Sequence, residues 1–97
     1  MTIMEFRKSL AGDALPPSLP GLAAALWHEA RGDWDRAHQI AQEVSTSDGS
    51  WVHAYLHRKE GDLGNARYWY SRAGKAEPGI SLDAEWEEIA VYLLAKE

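Results

Sequence analysis

The 97-residue chain is 45% hydrophobic and 26% charged, a globular balance that argues against disorder and sets one domain with a modest core. Its formal charge of −5 argues against nucleic acid as a partner, because phosphates demand a basic footprint. Cysteine is absent, which excludes disulfides and thiolate-ligated metals, and no apolar run has the length of a membrane span or the character of a signal peptide, so the cytoplasm is the expected compartment, with no membrane partner.

In chain order, residues 1–20 read as an N-terminal cap and link. Residues 2–10 can form a short amphipathic helix through Ile3, Phe6 and Leu10, and Pro16-Pro17-Ser18-Leu19-Pro20 reads as a stiff extended link. Two helical hairpins follow, over 21–44 and 49–74. The first pairs helices over 21–31 and 34–44, the second helices over 49–60 and 63–73, with the loop STSDGS between the hairpins. Within each, a Gly-Asp junction stops one helix and starts the next. Glycine takes the left-handed backbone that ends a helix, and aspartate accepts from the free amides of the following one. A junction this tight predicts antiparallel helices. Residues 81–96 read as a C-terminal capping helix that starts behind Ser81 and turns Leu82, Trp86, Ile89, Ala90, Leu93 and Leu94 to one side. Trp27, Trp34, Trp51, Trp69 and Trp86, spread along the chain, are expected to anchor the core.

The hairpins are an internal repeat. A shift of 29 residues lays Gly32-Asp33-Trp34 on Gly61-Asp62-Leu63, Ala37 on Ala66, Ile40 on Trp69 and His28 on His57. The run Gly61-Asp62-Leu63…Ala66…Tyr70…Ala73…Pro78 resembles the second half of a tetratricopeptide repeat, and NARYWYSRAG at 65–74 is similar to the end of a Sel-one-like repeat. The period is shorter than in either family, and Ser50, His53, Ala54 and His57 stand where the tetratricopeptide first-helix signature would fall. The WVHAYLHRKEGD segment also resembles that of a set of small bacterial proteins, a resemblance that implies no activity. What the repeat resemblance implies is an all-α fold of stacked hairpins that serves as a protein-binding scaffold. Its concave side would present Trp51, Tyr55 and Arg58, one stripe at i, i+4 and i+7, together with Leu22 and Leu26. Aromatic and arginine side chains are the types enriched at binding hot spots.

His53 and His57, spaced i, i+4, can face the same way, and His28 joins them by repeat equivalence. The expected role of these three is a structural polar cluster with no metal or cofactor. The alternative is a small-molecule or metal-binding protein built on this His and aromatic cluster. No phosphate loop, nucleophile elbow or dinucleotide fingerprint is present, so no catalysis is expected. Ser45, Ser47 and Ser50 read as loop residues, and Glu85, Glu87 and Glu88 as a helix exterior. Basic residues Arg58, Lys59, Arg67, Arg72 and Lys75 precede an acidic segment with Glu77, Asp83, Glu85, Glu87 and Glu88, either a solvated face or an acidic tail that docks on the basic hairpin. The reading is a scaffold domain with an unknown protein partner, a homodimer being one arrangement it allows.

Overall fold

A computed structural model describes residues 1–19 and 21–96. Among them are six α-helices and no strand: α1 (Ile3–Ser9), α2 (Gly21–Ala30), α3 (Trp34–Gln42), α4 (Ser47–Glu60), α5 (Leu63–Ala73) and α6 (Leu82–Leu94). The Gly-Asp junctions act as the residue chemistry requires. Gly32 and Gly61 have φ of 89° and 91°, where a Cβ is strained. Asp33 and Asp62 then cap α3 and α5 by accepting from the amides of Arg36 and Asn65. The side chain of Ser81 caps α6 in the same way. A capping box between Thr2 and Glu5 opens α1.

Two local expectations need correction. Pro16–Leu19 is not an extended link, because the Leu19 amide turns back to the Pro16 carbonyl, and Pro20 lies outside the described residues. The STSDGS segment is only partly a loop. Thr46 caps α4, so the helix begins at Ser47 and includes Ser50. Gly49 is required in that first turn, since a Cβ there would stand 2.0 Å from the Val44 carbonyl oxygen of the incoming loop.

α4 is the centre of the molecule. Gly49 to His57 are all buried, and charges appear only at its two ends, Asp48 and Arg58, Lys59 and Glu60. A helix apolar on nearly every side needs neighbours on every side, and α4 contacts α2, α3, α5 and α6. α2 packs on α3 and α4 on α5, with Ala37 and Ala66 almost fully buried in α3 and α5. α6 lies against α2 and α4 and also contacts α1. Its apolar stripe, Trp86, Ile89, Ala90, Leu93 and Leu94, is buried. Each large side chain so covered stabilises by roughly 1.5–3 kcal/mol. Trp86 stacks on Phe6, and its Nε1–H donates to the Leu26 carbonyl at 3.2 Å. Trp27, Trp51 and Trp86 are buried, while Trp34 and Trp69 are half-buried beside the histidines described below.

Glu85 corrects the expectation of an acidic helix exterior. It is 1% exposed and is held by the Tyr70 hydroxyl (2.7 Å), the Arg58 guanidinium (2.9 Å) and the Trp51 indole (3.3 Å). Such a cluster satisfies a carboxylate removed from water. With Arg67–Glu77 and Arg7–Glu87, it joins the acidic segment to basic residues elsewhere in the chain.

Candidate functional site

Two groups of residues were singled out by the sequence, and the structure treats them differently. The stripe of Trp51, Tyr55 and Arg58 is covered by α6. Trp51 and Tyr55 are 4% and 2% exposed, Leu26 is buried, and Leu22 and Arg58 are half-buried. Trp51 packs on Tyr92 of α6, and Arg58 reaches both Glu85 and the Ile80 carbonyl. The stripe is the seat of the chain's own last helix. Burial raises the Tyr55 and Tyr70 hydroxyls well above the usual phenol range. Nearby Glu29 reinforces the effect at Tyr55, and the hydrogen bond to Glu85 does so at Tyr70.

The histidines form the second group. His53 and His57 lie one turn apart on the face of α4 that meets α3. The third member is His38 of α3. One ring nitrogen from each of His38, His53 and His57 falls within 4.8 Å of the others. His38 Nε2 and His53 Nε2 are 2.9 Å apart, a hydrogen bond in which one ring donates and the other accepts. His57 Nδ1 lies 2.9 Å from Glu60 Oε2. A carboxylate oxygen accepts from a ring N–H, so Nδ1 is the donor in this bond and Nε2 is the nitrogen left for another partner.

Two indoles wall this group. Trp69 stacks on His53 with centroids 3.9 Å apart, and Trp34 stacks on His38 at 4.8 Å. Trp34 is itself fixed, because its Nε1–H donates to the Leu56 carbonyl at 2.8 Å. His53 and His57 are buried and His38 is half-buried, so the group is reached from the α3 side. Burial, reinforced by the charges of His38 and His57, pushes the His53 imidazole down to about 4. Burial, then the charge of His57, also lowers His38, against a partial lift from Glu60 and Asp35. Both rings are therefore neutral at pH 7, with lone pairs available.

His28 does not belong to this group. It is half-buried on α2 with its ring edge-on to Trp27. Repeat equivalence placed it with His57 for a reason that works against convergence. Equivalent positions on successive packed helices are set apart by about the 8–10 Å of an interhelical spacing. His38 was missed because the 29-residue shift lays it on Arg67, outside any histidine pattern. Its signal was the helix period, since Trp34 and His38 at i, i+4 put a ring pair on the face of α3 that α4 must meet.

The chain matches no protein-family model, and neither a curated protein nor a solved structure is significantly similar to it.

Proposed function

We propose that this chain is a divalent-metal-binding helical domain in which the imidazoles of His38, His53 and His57 hold a zinc-type ion. The observation that carries the reading is the approach of three imidazole nitrogens to within 4.8 Å, on two packed helices, with no carboxylate in the group. Zinc–imidazole bonds of about 2.0–2.1 Å in tetrahedral geometry require nitrogens about 3.3 Å apart. His38 and His53 sit slightly inside that spacing, so modest ring rotations create the site. A neutral all-nitrogen donor set suits zinc, copper or nickel rather than magnesium or calcium. The Glu60 contact supplies the outer carboxylate that orients a ligating histidine and raises its basicity. Three protein ligands leave a fourth position for water or another ligand. This reading replaces the expectation of a metal-free cluster, and it uses His38 where the sequence pointed to His28.

The test is calorimetric titration of chelator-treated protein with zinc, alongside cobalt, whose visible spectrum reports tetrahedral nitrogen ligation. One ion per chain is expected, with a rise in melting temperature. Ligand at about 100 times its Kd stabilises a fold by about 2.7 kcal/mol. His38→Gln should abolish binding and His28→Gln should leave it intact. Absence of stoichiometric binding, or equal loss in the two variants, refutes the site.

The scaffold reading draws support from a separate observation. Among the described helices, α5 makes its close backbone contacts with α4, with only the Tyr70–Glu85 bonds reaching α6, and it leaves Leu63 and Tyr68 exposed. If the two helix pairs are tetratricopeptide-like, as their matching caps suggest, this is the side on which another helical element would stack. Light scattering tests it. Self-association that Tyr68→Glu abolishes supports a homodimer through α5, and a monomer at every concentration removes that arrangement.

A further inference from the structure

Beside the histidines lies a cleft of about 180 Å³ between the loop that follows α3 and the near side of α5, lined among others by Thr46, Ser47, Ser50, His53, Trp69 and Arg72. Its lining contains no carboxylate. Ser50 is only 8% exposed, yet its hydroxyl has no hydrogen-bond partner among the described residues. The residue is largely covered, but its hydroxyl oxygen opens to the cleft with donor and acceptor capacity to spare.

The cation of the cleft is also unmatched. The Arg72 guanidinium lies over the Tyr68 and Trp69 rings and donates to the Tyr68 hydroxyl, and no carboxylate pairs with it among the described residues. The 14-residue α4 begins here. The Thr46 hydroxyl accepts from the Gly49 amide and the Thr46 carbonyl from the Ser50 amide, while the amides of Ser47 and Asp48 have no partner among the described residues. The one acid in that turn, Asp48, is directed elsewhere. Burial alone would raise its carboxyl, but hydrogen bonds from Lys96 and Tyr92 hold it below the usual range, ionised and paired.

An unmatched guanidinium, an unpartnered hydroxyl open to the cleft and free amides at the positive end of a helix share one complement, a compact anion with several acceptor oxygens. We propose that this cleft is a binding site for a phosphate-type oxyanion, held by Arg72, the Ser50 hydroxyl and the first amides of α4. Trp69 also lines the cleft, so a flat group attached to the phosphate would lie beside an indole. The site shares only His53 with the proposed metal centre and stands whether or not the histidines take an ion.

The experiment uses the full chain, treated with chelator so that metal plays no part, and follows backbone amides by NMR. Inorganic phosphate and phenyl phosphate are added at constant ionic strength, with chloride as the control. Saturable shifts are expected at Ser47, Asp48 and Ser50. Arg72→Gln and Ser50→Ala should each weaken binding about tenfold, the loss of one hydrogen bond to a charged group. Arg72 is exposed, so its variant should melt like the parent and remain a valid test even if Ser50→Ala perturbs packing. Tighter binding of phenyl phosphate assigns the ligand as a phosphomonoester, and equal or weaker binding assigns free phosphate. Shifts that do not saturate, that chloride reproduces, or that survive Arg72→Gln with unchanged affinity overturn the proposal.

Discussion

Glu85→Ala is the severest single test of how the helices are held together. The wild-type carboxylate receives the Tyr70 hydroxyl, the Arg58 guanidinium and the Trp51 indole at 2.7–3.3 Å. Its removal strands one cation and two neutral donors. Breaking a buried ion pair by deleting one partner costs about 3–5 kcal/mol. Arg58 lies at the lower end, because its side chain is 19% exposed and keeps the Ile80 carbonyl. The buried Tyr70 hydroxyl, left without an acceptor, adds about 1–3 kcal/mol. A loss of about 4 kcal/mol is therefore expected, most of the total for a domain whose stability is on the order of 5–10 kcal/mol. Glu85→Gln keeps a carbonyl acceptor and should cost less, about 1–2 kcal/mol. Urea melts at neutral pH measure both. In a Tyr70→Phe background, Glu85→Ala should cost at least about 1 kcal/mol less than in the parent, because the two share a hydrogen bond. If Glu85→Ala melts within about 0.5 kcal/mol of the parent, a margin typical of substitutions at an unconstrained surface, or if the two changes are additive, the buried network does not hold α6 to α4 and α5.

In metal-free protein, stability should fall as pH drops from about 6.5 to about 4. His53 is held down to about 4 by burial and by His38 and His57, so the unfolded chain takes up its proton first. The stabilisation is complete above the ordinary imidazole value and is lost toward the folded one. Allowing for solvent screening, the loss is about 2 kcal/mol. A flat curve in this window, or an unchanged slope in His53→Gln, counts against it. Ala37→Leu and Ala66→Leu should each overpack by about 1–3 kcal/mol, as both positions are buried, whereas leucine at exposed Gln39 should be nearly neutral. Denaturant melts in which both alanine variants match the parent, or in which only one is damaged, would mean that the 29-residue equivalence has no structural content.

Much of the fold was legible because its signals are local. Gly32-Asp33, Gly61-Asp62 and Ser81 state helix ends in a few residues, and the observed helices begin and end close to the expected places. Burial of α4 was also readable, since residues 49–57 carry no acidic or basic side chain apart from the two histidines. The destination of α6 was not. An apolar stripe specifies that something must cover it without naming the partner, and α6 covers α2 and α4 instead of stacking behind α5. The same limit hid Glu85, whose neighbours Glu87 and Glu88 are exposed and whose partners lie on other helices. For the candidate site, i, i+4 spacing identified His53 and His57. His38 required knowledge of which side of α3 meets α4, and that is a tertiary fact.

The placement of α6 also bears on how the chain reaches this structure. The bond from Trp86 to Leu26 spans 60 residues, Lys96 to Asp48 spans 48, and Arg7 to Glu87 spans 80. The α2–α3 and α4–α5 pairs, by contrast, are closed by junctions of a few residues and can assemble on the timescale of local helix contacts. Loop-closure entropy must be met before distant contacts return any energy, so docking of α6 is expected to be slower than closure of the local pairs. Until it arrives, the apolar faces of Leu26, Trp51 and Tyr55 are wet and able to join those of other chains. Substitutions in Trp86, Ile89 or Leu93 therefore threaten yield through aggregation as well as through lost stability.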